Sequence, residues 1–100
     1  MTKLQTTPFD AAKYITEPAH VIELLNDALE SGDAGYIANA LGVVARSEGM
    51  TAIAEKAGVK RQALYRSLSE DGNPTLETLL GVLGALDLRL AVKETEGKAV

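Results

Sequence analysis

The chain has 100 residues, 46% of them hydrophobic and none cysteine, with a formal net charge of −4. That length fits one domain with a modest core, excludes disulfides and thiolate chemistry, and contains no apolar run of the roughly 18 residues that span a bilayer. The opening MTKLQTTPFD lacks the apolar stretch of a secretory leader, so a cytoplasmic protein with no membrane partner is expected.

Charge is unevenly distributed. Residues 1–49 hold three basic and seven acidic groups, and residues 71–100 hold three and five. Residues 50–70 alone are net positive, with Lys56, Lys60, Arg61 and Arg66 against Glu55 and Glu70. The acidic remainder suits a basic partner, or is simply a solvated surface.

Residues 1–8 have little apolar content and are expected to be poorly ordered. Residues 9–14, FDAAKY, read as a short helical turn anchored by Phe9 and Tyr14. Thr16-Glu17-Pro18 reads as a helix start, with Thr16 as cap and Pro18 in the first turn. That helix is expected to reach Ser31, with Val21, Leu24, Leu25, Ala28 and Leu29 at helical spacing. Gly32 closes it and Asp33 caps the next helix, which covers residues 34–48 and is apolar on more than one face. Its small residues Ala38, Gly42 and Ala45 mark a place where another helix can approach. Gly49 ends it.

Residues 50–68, MTAIAEKAGVKRQALYRSL, read as a short helix, a tight turn at Gly58-Val59 and a second short helix. Ala54 lets the two helices meet closely, and Gly58 supplies the left-handed backbone of the turn. Ile53, Ala57, Val59, Leu64 and Leu68 form the inward apolar set. This is the helix-turn-helix pattern, whose second helix enters the DNA major groove. On a helical wheel Arg61, Gln62, Tyr65, Arg66 and Ser69 share one arc of about 140°. Arginine reads guanine bidentately, glutamine reads adenine, and tyrosine reaches phosphate or a thymine methyl. Lys60 at the helix start is placed for phosphate or a base edge. Thr51, Asn73 and Thr75 offer hydroxyl, amide or backbone N–H groups to phosphate. The competing reading is a solvated polar face on a helical bundle.

After Leu68, Asp71-Gly72-Asn73-Pro74 is loop chemistry and Thr75 a helix cap. A helix over residues 76–86 carries Leu76, Leu79, Leu80, Leu83 and Leu86 on one stripe. Gly81 and Gly84 permit close approach of a neighbour. Their spacing is no phosphate loop, because no strand precedes it. Leu88, Leu90 and Val92 then alternate with Arg89, Ala91 and Lys93, the period of a β-strand. A lone strand in a helical chain needs a partner, and a second copy is the simplest supplier. The alternative is an extended arm lying on the core. Residues 94–100 read as a tail.

No enzyme chemistry is expected. His20 is the single histidine and has no cysteine or second histidine to share a metal, so neither a cofactor nor a metal is expected.

The run GMTAIAEKAGVKRQALYRSLSEDGNPTLETLLGVLGALDLRLAV resembles the Cro/repressor-like (XRE) domains, and within them the HigA-like addiction-module antidotes. FDAAKYI and LLNDALESGDAGYIANALGVVARSEGMT extend the likeness over nearly all of residues 9–93. The resemblance implies an all-α, five- to six-helix bundle of the lambda-repressor-like type, as a single domain over residues 9–93, with the short C-terminal β-strand paired across a homodimer. It implies an antitoxin that binds a small basic toxin of the RelE/ParE/HigB superfamily and represses its own operon at a palindromic operator. By motif position, Lys60, Arg61, Gln62, Tyr65 and Arg66 would read DNA, with Thr51 on phosphate. Ser67 departs from the family's apolar preference and implies looser packing of the second motif helix. Asp87 stands where glycine would stop the preceding helix more easily. Two alternatives remain open: an XRE regulator with no toxin, and a toxin-neutralising module with no DNA activity.

Overall fold

The computed structural model describes residues 17–69 and 71–95. Five helices follow in order: α1 Pro18–Ser31, α2 Ala34–Glu48, α3 Met50–Ala57, α4 Arg61–Ser67 and α5 Leu76–Ala85. The expected turn at residues 9–14, the Thr16 cap and the tail beyond residue 95 lie outside the described residues.

Local chemistry sets the helix ends. Glu17, in extended conformation, precedes Pro18, and no side-chain hydrogen bond caps this end of α1. Proline's fixed φ starts the helix without needing its missing N–H. At the other end Gly32 takes φ 70°. The Ser31 hydroxyl donates to the Ala28 carbonyl at 2.6 Å and accepts the Asp33 N–H at 3.0 Å. Asp33 Oδ1 then accepts the N–H groups of Gly35 and Tyr36 at 2.9 and 3.3 Å, capping α2. Such a cap is worth about 1 kcal/mol. The Tyr36 hydroxyl donates to Asp27 Oδ2 at 2.5 Å, tying the first turn of α2 back to α1.

One core unites all five helices. Val21, Leu25 and Ala28 enter from α1, and Ala40, Leu41, Val44 and Ala45 from α2. Met50, Ile53 and Ala54 enter from α3, Leu64 from α4, Leu68 from just beyond it, and Val82 and Leu83 from α5. Leu41, Leu64 and Leu68 are the largest fully buried side chains, each stabilising by about 1.5–3 kcal/mol through lost water contact. α2 is buried on more than one face, through Ala38, Ala40, Leu41, Gly42, Val44 and Ala45, as its all-round apolar pattern predicts.

Two features of the C-terminal part differ from the simplest reading of the sequence pattern. The leucine stripe of α5 does not face inward as a whole: Val82 and Leu83 are buried, whereas Leu76 and Leu80 are 63% and 47% exposed. Gly81 is the reason. A Cβ there would meet the Ala57 carbonyl oxygen at 3.1 Å and the Ala57 Cβ at 3.2 Å. The glycine therefore brings α5 hard against the end of α3 and turns the helix so that Val82 replaces Leu80 in the core.

The second difference concerns residues 88–92. No strand is formed among the described residues, and residues 88–95 have no regular secondary structure. Leu88 packs against the core, but Leu90 is 37% and Val92 99% exposed. Asp87 takes φ 62° and redirects the chain at the end of α5. Its N–H bonds the Gly84 carbonyl at 3.0 Å, and the Leu88 N–H bonds the Leu83 carbonyl at 2.8 Å. These two bonds close the helix in the Schellman manner, with aspartate where glycine is usual.

Candidate nucleic-acid interface

The turn between α3 and α4 is tight and closed by a glycine. Gly58 takes φ 76° and donates to the Glu55 carbonyl at 3.2 Å, while Val59 donates to the Ala54 carbonyl at 3.0 Å. Two of the four orphan carbonyls of the helix end are thereby satisfied. Ala54 is buried at this junction, and Ala57 and Val59 pack on the core. Lys60, in extended conformation, then opens α4.

α4 divides cleanly. Leu64 points inward with no exposed surface. Arg61, Gln62, Tyr65 and Arg66 are exposed, as is Lys60 before them and Ser69 after them. The outward arc expected from the helical wheel is the one observed. α4, RQALYRS, contains no carboxylate. The Arg61 guanidinium lies 5.2 Å from the centre of the Tyr65 ring, one turn along the helix. A cation over an exposed tyrosine face is held by about 0.5–1 kcal/mol. The ring thus favours one position for the guanidinium end of a long surface side chain.

Glycines seat the far end of α4. A Cβ on Gly42 of α2 would overlap the Leu68 carbonyl oxygen. A Cβ on Gly72 would likewise overlap the Ser67 carbonyl and crowd that of Arg66. The last turn of α4 therefore lies directly on the α2 backbone, with the following loop folded over it. Ser67 is half-buried and its hydroxyl donates to the Leu64 carbonyl at 3.2 Å. Leu64 and Leu68 on either side of it are fully buried. In the sequence Gly42 is one small residue among several and Gly72 is ordinary loop chemistry, and neither announces the backbone it lies against. Backbone-on-backbone packing leaves no periodic signal.

The remaining candidates are placed as follows. Thr51 is exposed in the first turn of α3, whose start has no side-chain cap because Gly49 precedes it. Asn73 is exposed in the loop before α5. Thr75 is the N-cap of α5: its oxygen accepts the Thr78 N–H at 3.0 Å and its hydroxyl pairs with that of Thr78 at 3.1 Å. Its hydroxyl is thus engaged within the chain. Among the described residues no three or more His, Asp or Glu side chains gather as a metal site would need, and no helix there is long and apolar enough to cross a membrane.

Comparison with solved structures gives no match. A protein of Haemophilus influenzae, described only as uncharacterized, is 37% identical over 91 residues, covering 91% of this chain and 94% of its own length. The model of the family described as "Probable addiction module antidote protein" matches residues 5–94. The match takes in all five helices and the arm beyond them, so the chain belongs to that antidote family.

Proposed function

We propose that this antidote-family chain binds and neutralises a protein toxin directly, and that it also represses its own operon by binding DNA through α4. The observation that carries the DNA half is the carboxylate-free outer face of Lys60, Arg61, Gln62, Tyr65 and Arg66. That helix is seated at its C-terminal end by close backbone contacts with Gly42 and Gly72. Arginine and glutamine on a rigid exposed helix are the side chains that read guanine and adenine in the major groove. Thr51 and Asn73 flank it as phosphate contacts, with the α3 N-terminus offering backbone N–H groups. Thr75 would contribute through its backbone more readily than through its engaged hydroxyl.

The toxin half is supported by the family and by the charge of α1. Glu23, Asp27 and Glu30 are all exposed there, and residues 14–45 contain no lysine or arginine. Such a surface favours a basic partner, of the kind that RelE/ParE/HigB-type toxins represent. The function is binding alone, without catalysis. A homodimer would place two α4 helices in successive major grooves about 34 Å apart, with Leu88, Leu90 and Val92 on the two arms available for pairing.

Co-expression with the product of the adjacent gene tests the toxin half. Restored growth and co-purification of a small basic protein are expected. Continued growth arrest with no complex would contradict it. Neutralising Lys60, Arg61 and Arg66 should leave protection intact, which separates this half from DNA binding.

A further inference from the structure

The outer side of α1 is not simply polar. Ile22 and Leu29 are 47% and 39% exposed. They stand seven residues apart, so they lie on one side of the helix with about 10.5 Å of axis between them. Glu23 and Glu30 repeat that spacing one residue further on, and both are exposed. The helix therefore carries two parallel rows, one apolar and one anionic, with exposed Asn26 between them. Asp27 lies further round, where the Tyr36 hydroxyl engages it. Towards the start of α1 the apolar row runs into a groove of about 250 Å³, in which Ile22 joins Pro18, Val21, Leu86 and Leu88. The charged groups of that groove are Glu48, Asp87 and Lys56.

We infer that this two-row face of α1 is where the chain holds its protein toxin. An apolar ridge of the toxin lies along Ile22 and Leu29 with one large side chain in the groove, and lysines or arginines beside that ridge meet Glu23 and Glu30. The inference rests on the toxin reading above and gives it a surface. Charge selects the occupant. Residues 14–45 contain no lysine or arginine, so the face repels DNA. A second copy is disfavoured too, because a two-fold pairing of α1 with α1 brings one carboxylate row up to the other. A basic protein meets neither cost: its apolar ridge covers Ile22 and Leu29 while its cations are drawn to the glutamates. Carboxylates alone would attract any cation and fix no position. The apolar row supplies the anchor, and the two rows together set the orientation. Turning the partner end for end would press its cations onto Ile22 and Leu29.

Calorimetric titration of the full chain with the purified product of the adjacent gene tests this. The wild type should bind. Ile22→Ser/Leu29→Ser should weaken the complex by at least about tenfold, or 1.4 kcal/mol, with unchanged helical circular dichroism, since both side chains are exposed. Asn26→Arg sets a cation and a long side chain between the rows without removing either. It should weaken the complex by a similar factor, and it carries the test should the double variant unfold. Glu23→Gln/Glu30→Gln should bind less tightly and lose most of the dependence on salt. A wild-type complex that all three variants leave intact overturns this face and leaves the toxin reading standing. No wild-type complex overturns both. A wild-type dimer that Ile22→Ser/Leu29→Ser dissociates in sedimentation, with toxin affinity unchanged, gives the face to a second copy and overturns the proposal as well.

Discussion

The Leu68 carbonyl rests on Gly42 so closely that a β-carbon at residue 42 has no room. This contact joins α2 to the end of the helix that carries Arg61 and Arg66. Alanine normally favours a helix interior over glycine by about 1 kcal/mol. Here the sign should reverse. Gly42→Ala is expected to destabilise by about 1–3 kcal/mol, the usual cost of overpacking, because the obstacle is backbone. Urea unfolding measures it, and a stabilised variant would show that α4 is not seated on α2.

The opposite sign is expected at Asp87. Its φ of 62° is a conformation that side chains disfavour, and the surrounding hydrogen bonds leave it no alternative. Asp87→Gly should raise stability by about 1 kcal/mol. Equal or lower stability in urea would mean that the carboxylate makes a compensating interaction.

Tyr65 acts on DNA binding through Arg61 as well as through its own contacts. Tyr65→Phe retains the ring over which the guanidinium lies, whereas Tyr65→Leu removes it. The leucine variant should lose a further twofold to fivefold in affinity relative to phenylalanine, about 0.5–1 kcal/mol. Fluorescence anisotropy on labelled upstream DNA checks this. Equal losses would leave the stacked ring without a role.

Tyr36 titrates above its ordinary value of 10.0, first because its hydroxyl donates to Asp27, then through desolvation and the Asp27 charge. A raised folded-state pKa means the contact stabilises fully below the ordinary tyrosine range and fades as pH rises through the folded value. Tyr36→Phe should remove a raised tyrosine step from an absorbance titration and flatten the alkaline loss of stability. An unchanged titration would place the hydrogen bond elsewhere.

Much of this was legible in the sequence where a residue's own chemistry decides the structure. Gly32, Asp33, Gly58 and Thr75 each carry a backbone or capping preference that acts locally, and all four perform it. The outward face of α4 followed from helical periodicity. The orientation of α5 did not, because five leucines at similar spacing leave several inward faces nearly equivalent. The choice was made by Gly81 against Ala57, a contact between elements far apart in sequence. The strand at residues 88–92 was read from alternation alone, and alternation describes a surface that pairing must complete. Within one chain nothing described supplies that pairing.

The most direct test of the account is a mobility shift on the DNA upstream of the protein's own gene, comparing the wild type with Arg61→Ala/Arg66→Ala. The account predicts a discrete complex with the wild type, weakened by added salt, and none with the double variant despite an unchanged fold. No wild-type complex, or one that survives the loss of both arginines, would contradict it.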